Sequence, residues 1–280
     1  MVYKEYLPNA LLAPYIECYW SAIADNPPFQ EEEALIPDGT IELMFNYGDP
    51  YFQVIDHQKI KVKGSHVIGV RSKSLWISQS ANQNFFCIRF KPGGTYPFFK
   101  IPAYLFSNQF IGIDDLLNSE YKELEEKIFN LTNDLERVKL ANNFFMKKIT
   151  SFSPASVTSE NFFLATSSTS TNLSELAGML NVSIKTLERH VKQTSGLTPE
   201  LYFIIQRFNF SIKLMYSGKY NSLTEIAYAS GYADQSHFIK EFKRLTNETP
   251  LQFLKKQFKI IDVIQPALSK RLSKLYNFES

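Results

Sequence analysis

Cysteine is nearly absent: Cys18 and Cys87 are the two in 280 residues. That excludes a disulfide framework and a cysteine-rich zinc site. Cys18 lies in a strand-like run with no histidine nearby in sequence to activate it. Both thiols therefore read as small buried hydrophobes rather than nucleophiles. Histidine is also scarce, at four. His57 and His66 stand nine apart without a His-x-His or an accompanying glutamate, so the usual metal-ligand spacing is missing. No apolar run approaches a membrane span, and Met1 is not followed by a basic and then apolar leader. No tract is polar enough for extended disorder. The expectation is a reduced, cytoplasmic, globular protein that is not an enzyme and carries no cofactor or metal.

What is present fills two ordinary domains. The net charge of +2 conceals an asymmetry. Residues 1–172 hold 15 Lys and Arg against 19 Asp and Glu, a balance of −4. Residues 173–280 hold 15 against 9, a balance of +6. A basic half beside an acidic one suits a polyanion-binding domain joined to a non-binding one.

The basic half contains one helical unit written twice. Leu173-Ser-Glu-Leu-Ala177 returns fifty positions later as Leu223-Thr-Glu-Ile-Ala227. After the turn the offset becomes fifty-one, pairing Leu187 with Phe238, Val191 with Phe242 and Pro199 with Pro250. Each copy opens with a capping box, Asn172-x-x-Glu175 and Ser222-x-x-Glu225. A short helix follows, with Leu173, Leu176, Ala177 and Leu180 on one face, matched by Leu223, Ile226, Ala227 and Ser230. The turn holds Asn181 in the first copy and Gly231 in the second, the residues that best tolerate a positive φ. A second helix follows, with Ile184, Leu187 and Val191, or His237, Phe238 and Phe242, turned inward. The small Ala177 and Ala227 let the helices cross closely. Helix, short turn, helix: the pattern is a helix-turn-helix, twice.

Residues 231–244, Gly-Tyr-Ala-Asp-Gln-Ser-His-Phe-Ile-Lys-Glu-Phe-Lys-Arg, followed by Thr249-Pro250, resemble the signature of the AraC/XylS family of bacterial transcription regulators. Residues 180–189, Leu-Asn-Val-Ser-Ile-Lys-Thr-Leu-Glu-Arg, are similar to the same family's upstream motif. The resemblance covers about 156–258. It implies an all-α double helix-turn-helix domain that reads double-stranded promoter DNA.

The first 118 residues read as mostly strands, over 15–22, 40–47, 51–55, 60–62, 66–70, 75–78 and 85–90. A polar, proline-containing break covers 25–33. Short strands with regular turn signals suggest a barrel or sandwich. Leu-Ile-Pro-Asp-Gly-Thr at 35–40 and Arg-Phe-Lys-Pro-Gly-Gly at 89–94 look like the cupin-like amino-terminal module of one AraC subgroup. That resemblance implies an effector-sensing or dimerising barrel. Asp38 and Arg89 either pair across it or serve separately, as a turn-stabilising carboxylate and a solvated cation. Tyr19, Trp20, Phe45, Tyr47 and Phe86 either line an effector pocket or pack the core.

Residues 101–117 read as a looped or helical exit. Residues 121–149 form a helical pattern broken near 130–133, with Leu124, Ile128, Leu131 and Leu135 on one face, continued by Val138, Ala141, Phe145 and Ile149. This stripe packs on the barrel or forms a dimer seam. The Ser- and Thr-rich 150–160 is the candidate linker, Asn161 to Ala165 starts the next domain, and 167–171 is a polar loop. Between the units, 199–217 reads as one helix begun by Pro199 and ended by Gly218. About twenty residues at ~1.5 Å each span ~30 Å, near the ~34 Å of one duplex turn. Such a spacer could set the two recognition helices in successive major grooves.

In the first recognition helix, Lys185, Glu188 and Arg189 are left facing outward, and the family motif makes these the base-reading positions. Arg189 suits guanine O6 and N7, and Glu188 can accept from cytosine N4; a phosphate clamp or a local salt bridge is the alternative for Arg189. In the second, the matching positions are Gln235, Ser236, Ile239 and Lys240. Gln235 suits adenine, Ile239 a thymine methyl, and Lys240 a phosphate or guanine. Lys243 and Arg244 read as backbone contacts. Arg207, in the spacer, reads as an internal salt bridge.

The expected fold class is α+β. A cupin-like β-barrel sensor (1–118) and a helical connector (119–155) precede the all-α double helix-turn-helix domain (156–258) and a tail (259–280). The expected function is sequence-specific DNA binding, modulated by a small-molecule effector or a partner at the amino-terminal domain. A homodimer is compatible, RNA polymerase becomes a partner if the protein is an activator, and no membrane is involved. Two alternatives stay open. One is a ligand-independent regulator whose first domain only dimerises or binds a protein; the other is a cupin-type enzyme with a regulatory DNA-binding domain.

Overall fold

The computed structural model describes residues 2–25, 32–62, 64–149, 154–166, 172–217, 219–220 and 222–255. Its amino-terminal region is sheet-rich and its carboxy-terminal region helical. The strands are β1 (Val2–Tyr6), β2 (Ile16–Asp25), β3 (Glu32–Leu35), β4 (Ile41–Asn46) and β5 (Phe52–Ile55). They continue with β6 (Gln58–Lys61), β7 (His66–Ile68), β8 (Leu75–Ser78), β9 (Asn82–Phe90) and β10 (Phe110–Gly112). They form two sheets, in the orders β1-β2-β9-β4-β7-β10 and β3-β8-β5-β6.

Alternation along β9 sets the layers. Phe86, Ile88 and Phe90 turn to one face of the larger sheet. There they join a core with the helices α1 (Tyr96–Phe99), α3 (Ser119–Phe129) and α4 (Asp134–Lys148). Phe85, Cys87 and Arg89 turn to the other face. There Cys18, Trp20, Met44, Phe85 and Cys87 meet Tyr51, Val62 and Ile77 from the smaller-sheet side. Burial pushes the Cys18 thiol up to about 12, so it stays protonated at neutral pH.

Three strands lie where the sequence suggested otherwise. β1 and β10 were not anticipated, and β3 begins inside the polar stretch 25–33. Glu32 and Glu33 are poor strand formers, but antiparallel pairing with β8 (Glu33 opposite Ile77, Ala34 opposite Trp76) overrides local propensity. Burial of Glu33 raises its carboxyl from its ordinary value near 4.5 to about 7, against the lowering effect of a hydrogen bond from Gln79. The folded chain therefore holds a proton that the unfolded chain has released. Stability should fall as pH rises from about 4.5 to about 7 and then level off. Glu33→Gln should flatten that part of a Tm-against-pH curve; an unchanged slope would assign it elsewhere.

The 36–40 turn forms as its residues suggest, with Gly39 at φ +83°. Asp38 Oδ1 accepts from the Thr40 amide at 2.9 Å and hydroxyl at 2.8 Å. Its ionic partner is Arg71 at 2.7 Å, not Arg89. Arg89 instead pairs with Glu42 at 2.8 Å, because those two lie directly opposite on β9 and β4. Beyond the sheets comes a 3-10 turn, Ala103–Phe106, whose Phe106 carbonyl lies so near Gly69 that an added Cβ would sit 1.7 Å away. Gly69→Ala is therefore expected to destabilise the protein by about 1–3 kcal/mol, read from the urea midpoint.

After α2 (Ile113–Leu116), α3 and α4 break at the expected place. Tyr121, Leu124, Ile128, Val138, Ala141 and Phe145 are buried on the sheet side, but Leu135 is exposed. The expected linker is partly helical: α5 runs from Pro154 to Thr166. Proline at a helix start needs no amide partner, and Phe162, fully buried against Tyr202 and Phe203, anchors the helix. Residues 150–153 and 167–171, Gly218, and the tail from 256 lie outside the described residues.

Candidate nucleic-acid interface

The first unit consists of α6 (Leu173–Met179) and α7 (Ile184–Ser195), and the second of α9 (Leu223–Ala229) and α10 (Gln235–Thr246). The repeat holds at the level of single bonds. Asn172 Oδ1 accepts from Glu175 N at 2.9 Å, and Ser222 Oγ from Glu225 N at 3.2 Å. In the turns, Val182 N donates to Ala177 O at 3.0 Å and Tyr232 N to Ala227 O at 2.9 Å. Asn181 and Gly231 both take a positive φ, 51° and 80°. The recognition helices have caps of their own: Ser183 Oγ accepts from Thr186 N and Asp234 Oδ1 from His237 N. Each ends in a left-handed residue, Gly196 or Asn247.

Leu187 and Val191 are fully buried, as are Phe238 and Phe242. Ile184, expected inward, is exposed; it is the first helical residue, and burial of α7 begins a turn later. His237 is also outside the core, its ring against Tyr232 and its Nε2 3.9 Å from Glu241.

Lys185, Glu188 and Arg189 share an exposed face of α7. Neither Lys185 nor Arg189 forms an ion pair among the described residues. Lys192, which the sequence reading passed over, extends that face by one turn, its ammonium 5.9 Å from the Tyr104 ring centre. The i, i+4, i+7 spacing of 185, 189 and 192 was the available signal.

On α10, Ser236, Lys240, Lys243 and Arg244 are exposed. Gln235 and Ile239 are not presented as freely. The Gln235 amide oxygen accepts from Thr224 Oγ1 at 2.6 Å, whereas a bidentate grip on adenine needs both amide atoms. Ile239 is half-buried against the unit's own core. Arg207 makes the expected internal pair, reaching Glu241 at 2.7 and 3.2 Å with its guanidinium over the Tyr232 ring. Glu241, buried and also 3.9 Å from Arg244, was not singled out from the sequence. The pair ties the spacer α8 (Pro199–Tyr216) to the second recognition helix.

Two family models match. Residues 176–256 match one described as a helix-turn-helix domain, and residues 4–112 one described as a domain of unknown function, DUF6597. Over 77 residues the chain is 36% identical to the HTH-type transcriptional activator RhaS of Yersinia pestis (strain Pestoides F). The same identity is found with RhaS of Yersinia pseudotuberculosis serotype O:1b. The carboxy-terminal region is an AraC-type helix-turn-helix domain. The aligned stretch is 27% of this chain and 28% of either relative, so the match spans less than a third of their length. Among solved structures, ToxT from Vibrio cholerae aligns over 84% of this chain and 97% of its own, with 13% identity and a TM-score of 0.44.

Ahead of the AraC-type domain, the five aromatics proposed for an effector pocket divide between faces. Tyr19, Phe45 and Phe86 stack on one another on the helix-covered side, with centroids 6.1 and 6.4 Å apart. Tyr47 meets Phe129 and lies under the Arg137 guanidinium. Trp20 alone faces the space between the sheets, where its Nε1 donates to Glu42 Oε1 at 3.2 Å. That space also holds the Glu42–Arg89 pair and His66. Nδ1 of His66 donates to Gly64 O, which can only accept, so Nε2 accepts from Tyr51 Oη at 2.6 Å. Burial lowers the His66 pKa to about 4, in keeping with that neutral tautomer. His57 lies apart in an exposed turn. No group of three His, Cys, Asp or Glu placed to hold a metal occurs among the described residues, and no described helix is long and apolar enough to cross a membrane.

Proposed function

We propose that this protein is a sequence-specific DNA-binding transcription regulator whose two recognition helices enter successive major grooves. The observation that carries the reading is the pair of exposed polar faces, Lys185/Glu188/Arg189/Lys192 and Ser236/Lys240/Lys243/Arg244, on two helices that α8 connects. α8 has 18 residues, about 27 Å at ~1.5 Å per residue, a length that favours neighbouring turns of one duplex face. Arg189, Glu188 and Lys185 supply base contacts. Ser236 and Lys240 supply base or phosphate contacts, and Lys192, Lys243 and Arg244 phosphate contacts. Because Gln235 and Ile239 are partly engaged inside the second unit, discrimination rests mainly on the first.

The printed role of the Yersinia relatives, transcriptional activation, is the sense we assign, with RNA polymerase as the partner that sense requires. Modulation by a small effector at the amino-terminal domain is supported by Gln83. That side chain is 2% exposed, and neither amide atom has a hydrogen-bond partner among the described residues. It shares the strand face of Cys87 and Arg89, and a bound polar molecule would satisfy it.

In vitro selection of DNA fragments with the purified protein, followed by footprinting, tests the reading. The expected result is protection over two adjacent major-groove segments. Binding that is indifferent to sequence and vanishes with salt would sink it. A melting-temperature screen against metabolites tests the effector separately, since a ligand that binds only the folded chain raises Tm.

A further inference from the structure

The amino-terminal domain grips the far end of both recognition helices. Gly196, which ends α7, packs so tightly on that domain that a Cβ would come within 2.6 Å of Val70 Cγ1 and Ser107 Oγ. One turn earlier, Gln193 Nε2 donates to Tyr96 Oη at 2.5 Å. At the second unit, Ser74 N donates to Leu245 O at 2.7 Å, giving a partner to a carbonyl in the last turn of α10. The spacer is held as well. Asn209 Nδ2 of α8 donates to Pro37 O at 3.1 Å, in the turn braced by the Asp38–Arg71 pair.

The apolar contacts follow the same division. Leu187, Val191 and Leu197 of the first unit are continuous with the core beneath the larger sheet. Phe208 of the spacer α8 and the second unit's Phe238 and Phe242 cluster instead with Ala34 and Ile36, and with the half-buried Trp76. The two units rest on largely different segments: 93–107 with Val70 under the first, and 34–37 with 74–76 under the second. A shift between those segments would move one recognition helix relative to the other.

We propose that the amino-terminal domain is a clamp that sets the distance and twist between the two recognition helices. Ser74, Asn209 and Tyr96 are then positioning residues for DNA recognition. This rests on the double helix-turn-helix reading above, and it places regulation inside one chain. α8 fixes a length between the units; the clamp fixes the rotation at its two ends. Two linked binding modules reinforce each other only when their geometry matches the separation of their sites. A rigid clamp selects one half-site spacing, and a loosened one accepts several.

The test uses the full chain and the DNA site it selects, with one half-site displaced stepwise by single base pairs. Wild type should lose affinity by about tenfold or more on displacement, as expected when simultaneous engagement is lost. A double variant, S74P with N209A, removes the grip on the second unit and its spacer. Its preference among spacings should shrink to about threefold or less, while its affinity for the half-site read by the intact first unit stays unchanged. S74A keeps the amide N–H and should retain the wild-type spacing profile. Tyr96→Phe, which removes a single hydroxyl at the first unit, should broaden the profile in the milder way and serves if the double variant does not fold. A wild-type spacing profile in both S74P/N209A and Tyr96→Phe overturns the clamp while leaving DNA recognition standing. No sequence preference in wild type overturns the recognition reading itself.

Discussion

Arg189→Ala should weaken binding to the selected site by about 10- to 100-fold and relax preference at one base pair, the ~1–3 kcal/mol of a bidentate contact to guanine. Its guanidinium is exposed and unpaired among the described residues, so no internal ion pair is lost with it and folding should be unaffected. The comparison that gives the result meaning is Lys243→Ala. An exposed lysine meeting phosphate should lower affinity for all sequences alike and reduce the slope of log K against log salt by about one. Titrations at several salt concentrations, on specific and scrambled DNA, read both quantities. If Arg189→Ala behaved as Lys243→Ala should, Arg189 would be a phosphate clamp.

Breaking the buried Glu42–Arg89 pair is expected to have the largest effect on stability. Both side chains are about 6% exposed, and Glu42 Oε1 accepts from Arg89 Nε and from Trp20 Nε1. Replacing one member leaves the other charged, buried and unmatched, which costs about 3–5 kcal/mol in comparable sites. Arg89→Met alone should therefore lower the urea midpoint sharply. Glu42→Leu with Arg89→Met should recover most of the loss, because a desolvated ion pair and a well-packed apolar pair are often close in free energy. The exposed Glu123–Lys127 pair on α3 offers a control: each side chain is more than half exposed, and its removal should change stability by less than about 0.5 kcal/mol. Equal effects at the two sites would refute the role given to the buried pair.

The helical half was legible because its determinants are local. Capping residues, a positive-φ turn residue and an apolar face lie within a few positions of each other, and they recur at a fixed offset. The strand runs 15–22 and 85–90 were legible from apolar, aromatic composition, and pairing extends them to Asp25 and back to Asn82. β3 was not, because nothing in Glu32-Glu-Ala-Leu35 announces β8 as its partner. The ionic partners of Asp38 and Arg89 stayed open in the sequence for a related reason. Which carboxylate faces which guanidinium depends on register between β4 and β9, and register is a long-range property. At the interface, outward-facing charge on α7 followed from helical spacing. The engagement of Gln235 by Thr224 did not, since it depends on how α9 and α10 cross.

A chain whose apolar interior passes from sheet to helix-turn-helix without interruption also has a particular way of coming apart. Leu197 and Ile205 share one cluster with Phe90 and Phe106, and Ile36 shares another with Phe242. Neither half can open without baring surface that the other half normally covers. Heat or urea should therefore reveal a single cooperative transition in which sheet and helix signals disappear together. A fragment beginning near residue 172, cut out as a ready-made DNA reader, would carry exposed Leu197 and Phe208 into water and tend to self-associate.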